Sequence, residues 1–469
     1  MMSIPGLNLT AAPPETLNLP QAIVTRTKVL AANTEYRFEV AFSRTLAIKL
    51  LFGTGTAEFF GTELAPNSTY TFQGTKGAIY TWEGCTLEIT GEAQSEYTGE
   101  ETQMMSYANA HLALEELREK SLHSRDHGPR VLIVGPENVG KTSLAKILTS
   151  YAVKSGRQPM VVNLDPRQGM LSAPGSLSAA AFSSILDIED GWGSSPISGP
   201  SPVPVKMPLV YHYGLGNPEE GKLFRPLVTR MALAVTSRLE GDTESRQAGF
   251  IIDSPGAISQ GKGGVYENIE HIISEFSVNI LFVIGSERLY SDLTRIYSNS
   301  NYNADEPVAV VRLDKSGGCV DRDETYMKQF RQAQIRSYFF GHKGDNALGP
   351  NSQMADFDDL SIFRVIDGSN GHADFRPGDD DDVYGYGTTI YERVTPSSMI
   401  QNSLLAITTA SANDKHETIR DSSVRGYIYV ADVDDVKKKV RLLSPQPGHT
   451  PPNAMILGSF PEDVPGLVG

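Results

Sequence analysis

Over roughly its first hundred positions the chain alternates apolar and polar residues in short bursts. EYRFEVAF changes character at almost every step. TLAIKLLFGTGTAEFFGTEL and STYTFQGTKGAIYTWEGCTLEIT add β-rich runs broken by Gly, Asn and Pro. That spacing predicts short strands joined by tight turns, and so a small β-rich sandwich or barrel over residues 1–102. The period then changes. QMMSYANAHLALEELREKS, residues 103–121, sets apolar side chains at helical spacing among good helix formers, and HSRDHGPR ends it; residues 103–128 therefore read as a linker helix.

From Arg130 onward strand, loop and helix signals take turns. VLIVG, MVVNLD, GFIID and NILFVIG are apolar runs of strand length, each followed by a loop or a helical pattern. This predicts an α/β unit over residues 129–344, a mostly parallel sheet with helices on both faces. GWGSSPISGPSPVP and YSNSNYNADEP read as surface inserts, the second leading into the strand VAVVRL. QFRQAQIRSYFFG reads as a helix whose Tyr338, Phe339 and Phe340 belong to a core. Past Gly341 the alternation stops. An acidic loop, RPGDDDDVYGYG, precedes LLAITTA, RGYIYVADV and KKKVRLLSP, which predict a third, β-rich unit over 345–469. The whole length, 469 residues, suits about three domains of roughly 150 residues.

Composition narrows the picture. With 40% hydrophobic and 21% charged residues, disorder is excluded as the dominant state. No apolar run approaches the roughly 18 residues of a membrane span, and the N-terminus reads as no signal peptide. Two cysteines, Cys85 and Cys319, supply neither a disulfide framework nor a metal cluster, which points to a reducing, intracellular setting. The net charge of −15 argues against a general nucleic-acid coat protein while leaving room for one basic cleft. The nine histidines have no metal-binding spacing. The Asp379–Asp382 run reads as a solvated loop, and Lys437–Lys439 is a weak import signal.

Chemistry enters at Gly135-Pro136-Glu137-Asn138-Val139-Gly140-Lys141-Thr142, which fits GxxxxGK[ST] at every fixed position. It follows an apolar strand and opens a helical run ending near Gly156, the context a phosphate loop requires. Backbone N–H groups of such a loop surround phosphates, and glycine allows the close approach. Lys141 supplies a point charge to the β- and γ-phosphates, and the hydroxyl of Thr142 or Ser143 can hold Mg2+; the motif favours Thr142. Asp165 ends MVVNLD, where strand ends line the ligand crevice. It suits a Mg2+ or general-base role, or merely caps the turn before Pro166. Asp253 in IIDSPG is a second strand-end carboxylate that suits the metal. DSPG also matches the DxxG of GTPase switches, but Arg312-Leu313-Asp314 is no guanine-reading motif. Arg331 and Arg336 read either as solvated arginines or as charge-stabilising groups over a phosphate. The step between them turns a helix by about 140°, so they do not share a face.

GPRVLIVGPENVGKTSLAKIL, VVNLDPRQGMLSAPG, IRSYFFG, LSPQPGHTPPNAMILGSF, the opening SIPGLNL and FFGTELAPNSTYTFQ together resemble the Clp family, its fungal branch above all. These are nuclear P-loop proteins related to polyribonucleotide 5′-hydroxyl kinases and subunits of the pre-mRNA cleavage and polyadenylation machinery. The resemblance implies that the N-terminal domain clasps the adenine of ATP through Glu35 and Lys76. It implies phosphate, Mg2+ and hydroxyl-activating roles for Lys141, Thr142 and Asp165, and makes Arg331 and Arg336 lid arginines. Ala257 stands where kinase-active relatives carry a tryptophan that clasps the RNA end, and Pro166 and Arg167 are bulkier than their counterparts. Loss of one base-stacking aromatic is worth about 1–3 kcal/mol. The expectation is therefore an ATP-binding scaffold subunit of cleavage factor IA. It would be nuclear, would hold ATP as a structural cofactor, and would be partnered by the subunit that binds the polymerase II C-terminal tail. An active RNA 5′-hydroxyl kinase is the alternative.

Overall fold

The computed structural model describes residues 24–468 apart from 125, 194–207, 219–221, 262–263, 299–306, 342–347, 367–389 and 449–451. SIPGLNL, the acidic loop and most of both polar inserts lie outside the described residues. The first unit is a sandwich of two antiparallel sheets. One orders Thr25–Leu30, Cys85–Gly91, Leu46–Leu50 and Thr69–Phe72; the other orders Thr62–Glu63, Glu58–Phe59, Lys76–Thr81, Thr34–Glu39 and Ser95–Gly99. Tyr36, Phe38, Leu46, Ile48, Phe59, Phe72, Ile79 and Leu87 fill the space between them. Strand Thr34–Glu39 is buried on both faces. Tyr36 and Phe38 point into the sandwich, while Glu35 and Arg37 are 5% and 7% exposed on the other side, beside the cleft described below.

The helix Met104–Ser124 is anchored rather than free. Met104, Tyr107, Ala110, Leu114, Arg118 and Ser121 recur every three or four residues and are buried. Arg118 donates through Nε to the carbonyl of Ala248 at 3.0 Å.

The central sheet has seven strands in the order Leu209–His212, Ser176–Ala181, Met160–Asn163, Phe250–Asp253, Arg130–Val134, Ile280–Ile284, Ala309–Leu313. The last five run parallel and the first two are antiparallel additions, so the sheet is mostly parallel, as the apolar runs predict. The register sets Asp253 beside both Ile133 and Asn163. The carboxyl ends of three neighbouring strands thus deliver the phosphate loop, Asp165 and Asp253 to one place. A second seven-stranded sheet forms the third unit, with Val424–Asp434 and Leu404–Ser411 at its centre. Tyr338 and Phe339 on the helix Glu324–Phe340 pack against its Tyr427 and Tyr429. That helix therefore ties the central unit to the third.

Candidate functional site

A cleft of about 1040 Å³ opens where the sandwich, the carboxyl edge of the central sheet and the helix Glu324–Phe340 meet. Its floor is the phosphate loop. Gly135 sits at φ 154°, and a Cβ there would lie 2.3 Å from the carbonyl oxygen of Ile284; Gly140 sits at φ 92° and would press on the Cys319 sulfur. Both positions demand glycine for geometric reasons. Val139 turns its side chain into the core, between Gly135 and Gly285.

The helix Lys141–Lys154 starts directly from this turn. The Lys141 ammonium, 7% exposed, donates to the carbonyls of Gly135 at 2.9 Å and Pro136 at 2.6 Å. Burial pushes its pKa down, against the pull of the Asp253 and Asp165 carboxylates. Thr142 Oγ1 donates to Asp253 Oδ2 at 2.6 Å, and burial raises Asp253 to about 6 although that bond and Lys141 oppose the shift. The other oxygen, Asp253 Oδ1, is buried without a hydrogen-bond partner. A buried carboxylate oxygen left free beside a threonine hydroxyl fits a site meant for a cation. Ser143 lines the cleft next to Thr142.

Asp165 stands across the cleft and is 7% exposed. Its Oδ1 accepts the Arg167 amide at 3.0 Å, and its Oδ2 accepts the Gln168 side-chain amide at 3.1 Å. It caps its own turn and faces the cleft at once.

At the sandwich end, Glu35 accepts from Arg37 Nε at 2.7 Å and from the Thr102 hydroxyl, which locks the carboxylate in place. Lys76 pairs with Glu39 at 2.9 Å, donates to the Asp321 carbonyl at 3.3 Å and lies 5.0 Å from the centre of the Tyr326 ring. Tyr326 in turn donates to the Gly74 carbonyl at 2.9 Å.

The opposite end is lined by Ala257, Gln260, Gln334, Phe460 and Glu462, while Phe330, also in the cleft wall, stacks on Tyr326. The structure does not bring the two lid arginines together. Arg331 is fully buried, with Nε on Glu462 Oε2 at 2.9 Å, Nη2 shared between Glu462 and Glu324, and the Phe460 ring 5.0 Å away. Burial alone would lower its pKa; the two carboxylates outweigh it and raise it. Arg336 points elsewhere. It is exposed over the ring of Phe340 and is not among the cleft's lining residues. Arg167 bridges Glu137 and Glu324.

Sequence reasoning passed over Glu462, Gln168 and Arg322. Arg322 reaches the Asn138 side-chain oxygen at 3.3 Å and that of Gln168 at 3.2 Å. Its only signal was its place just before the helix that carries Arg331.

The family described as mRNA cleavage and polyadenylation factor CLP1 P-loop matches residues 135–341. The N-terminal beta-sandwich domain of polyadenylation factor matches 29–121, and pre-mRNA cleavage complex II protein Clp1 matches 348–462. The chain is 69% identical to the mRNA cleavage and polyadenylation factor CLP1 of Phaeosphaeria nodorum, with all of both chains covered. It belongs to the Clp1 family of mRNA cleavage and polyadenylation factors.

The Botryotinia fuckeliana member is 53% identical over the full length of both. Among solved structures, a wild-type Clp1p–Pcf11p complex superimposes with a TM-score of 0.81 at 30% identity, covering 93% of this chain and 98% of that one. A second, with the same values, concerns an extended Pcf11p–Clp1p interface and the basis of ATP loss in a glycine-to-arginine mutant of that protein. Membership in the Clp1 family supports ATP binding by the loop 135–142 and places it in a P-loop, kinase-like fold.

Proposed function

We propose that the chain is an ATP-holding scaffold subunit of the nuclear machinery that cleaves and polyadenylates pre-mRNA. One observation carries the reading. The cleft offers Lys141, Thr142 and Asp253 at its phosphate end, while Arg331, the lid arginine that would neutralise charge on a transferring phosphoryl group, is itself paired with Glu462 and Glu324. In this reading residues 1–102 clasp the base through Glu35 and Lys76, and the linker 103–128 joins them to the phosphate-binding unit 129–344. The backbone of Glu137 to Gly140, with Lys141 and Ser143, surrounds the phosphates, and Thr142, Asp253 and Asp165 hold Mg2+. The third unit, 345–469, closes the far side. When bound, the metal would supply charge neutralisation at the phosphates. A ligand bound only to the closed form stabilises it by about 4 kcal/mol at a thousandfold excess over Kd. Such a ligand fixes the sandwich against the P-loop unit.

The solved complex of a relative with Pcf11p supports a partner of the same kind, the cleavage-factor subunit that binds the polymerase II C-terminal tail. A second reading, an ATP-dependent polyribonucleotide 5′-hydroxyl kinase, draws on Asp165, a carboxylate at the strand end across from Lys141 and able to take a hydroxyl proton.

The test is nucleotide content and phosphate transfer on the same preparation. ATP should be released from the denatured wild type and be depleted about a hundredfold in affinity by Lys141→Ala, which removes charge-assisted contacts. Labelled ATP should leave a 5′-hydroxyl RNA no more phosphorylated than the Lys141→Ala blank. Transfer above that blank would establish the kinase instead, and an empty wild type would end the scaffold reading.

A further inference from the structure

Besides the nucleotide cleft, the described residues enclose a second cavity of about 350 Å³, where the sandwich meets the last turn of the helix Lys141–Lys154. Glu58, Glu63 and Trp82 of the sandwich wall one side. His111 of the linker helix, with Tyr151 and Lys154 of the phosphate-loop helix, walls the other. Glu58 lines the nucleotide cleft as well, so the two cavities share a wall. Beside the cavity the two units touch directly. The Thr62 and Ser150 hydroxyls lie 3.2 Å apart, and a Cβ on Gly61 would come within 3.0 Å of the Ser150 Cβ.

The charge of this cavity is unbalanced. Glu58 is 6% exposed, and no Lys, Arg or His among the described residues pairs with its carboxylate. It accepts from the Tyr151 hydroxyl, and the Trp82 indole stands beside it; both groups are neutral. Lys154, the one Lys or Arg among the described wall residues, is paired with Glu63 at 2.7 Å. His111 adds no charge, because burial, with Arg118 nearby, holds its pKa down to about 4. The wall therefore carries two carboxylates against one ammonium. Burial pushes the Glu58 pKa up, against Tyr151 and Lys154, which is the signature of a carboxylate short of a cation.

Aromatic rings supply the rest. Trp82 stands edge-on to Tyr80 at 4.8 Å, and His111 stands edge-on to Tyr151 at 5.4 Å, so the rings are held in place around the carboxylate. A carboxylate flanked by indole and phenol rings attracts an ammonium or guanidinium group twice over, through its charge and through ring faces within about 6 Å. An anion would meet two carboxylates, and an apolar ligand would bury Glu58 further without pairing it. We propose that this cavity is a binding site for an organic cation, an alkylammonium or guanidinium group seated on Glu58 between Trp82 and Tyr151. A free amine or a basic side chain of a partner polypeptide supplies such a group. Its occupant bridges the sandwich and the end of the phosphate-loop helix, and the site does not depend on the ATP-holding reading.

The chain has two tryptophans, Trp82 and Trp192, so fluorine NMR of the full chain carrying fluorotryptophan reports on the cavity through one of two resonances, assigned with Trp192→Phe. Butylammonium should shift the Trp82 resonance saturably, and butanol or KCl at equal concentration should not. Glu58→Gln keeps the shape and an acceptor for Tyr151. It should weaken butylammonium about ten- to a hundredfold, the size of a lost charge-assisted hydrogen bond. Lys154→Gln is an exposed change that leaves Glu63 unpaired and should tighten binding about two- to threefold; it tests the same charge should the Glu58 variant not fold. Spermidine binding more tightly than N-acetyl-lysine methylamide assigns the site to a free amine, and the reverse order assigns it to a side chain. The absence of a saturable shift, an equal shift from butanol, unchanged affinity in Glu58→Gln or weaker binding in Lys154→Gln overturns the inference.

Discussion

The two ends of the cleft use the same kinds of residue to opposite effect. At the phosphate loop, Thr142 is already bonded to Asp253, one Asp253 oxygen is buried and free, and Lys141 rests on carbonyls that a phosphate can replace. At the far end, Arg331 is ion-paired with Glu462 and Glu324 through Nε and Nη2, with Nη1 buried and without a partner among the described residues; Arg167 ties Glu324 to Glu137 of the loop, and Ala257 offers no aromatic face. A site poised for a ligand leaves strong donors and acceptors with weak partners. A site that has become structural gives them strong ones. The contrast separates holding a nucleotide from using it, and it does so within one continuous cavity.

The largest expected effect breaks that contrast at Arg331. Glu462→Ala leaves a fully buried guanidinium with only the exposed Glu324, and removing one partner of a buried pair costs about 3–5 kcal/mol. Urea unfolding of the nucleotide-free chain should show a loss of that order. A change under about 1 kcal/mol would mean the pair is no more than a surface contact and that Arg331 is free to serve the cleft. Next comes Ala257→Trp, which restores an aromatic to the far end. Were stacking the only deficit, affinity for a 5′-hydroxyl oligonucleotide should rise about ten- to a hundredfold by fluorescence anisotropy. The tied-off arginines predict a gain at or below the bottom of that range, and a full hundredfold rise would show that they do not matter.

How much of this was legible depends on how far apart the cooperating residues lie. The phosphate loop is a local pattern, and strand, loop and helix follow one another within residues 130–154, so period and motif alone located it. Thr142 and Asp253 are far apart in sequence, yet each ends or follows an apolar strand, and the rule that strand ends line the crevice joined them. Glu35 and Arg37 resisted such reading. TEYRFE alternates as a strand with one solvent face would, and only packing against the central unit buries the charged side. The resemblance supplied Glu35; the alternation did not. Strand Ser176–Ala181, SLSAAA, lacks β-branched residues, and its place in the sheet comes from the strands on either side. Arg331 and Glu462 lie 131 positions apart in different sheets' territory, and no local signal pairs a helix arginine with a carboxylate near the chain's end.

A third effect, on pH dependence, concerns the base of the far end, where the strand Leu209–His212 leads through Gly214 into residues 216–218 of the cleft wall. His212 is 3% exposed, neither ring nitrogen has a partner, and its ring lies edge-on to Tyr427 at 5.8 Å. Burial depresses its pKa from 6.5 to about 4. The folded protein therefore keeps this ring neutral where the unfolded chain would protonate it. Its contribution is fully present above pH 6.5 and drains away as pH falls toward 4. At about 1.4 kcal/mol per pH unit, the loss from this group reaches about 2 kcal/mol by pH 5. His212→Phe keeps an aromatic edge against Tyr427 and removes the titration, so its unfolding free energy should fall less between pH 7 and pH 5 than that of the wild type by about that amount. Parallel curves for the two proteins would mean that the unfolded and folded rings titrate alike, hence that water reaches His212 and the far end is looser than its buried arginine implies. A flattened curve, with ATP affinity unchanged at pH 7, would show that the far end rests on buried, neutral and paired groups while the nucleotide end remains free to bind.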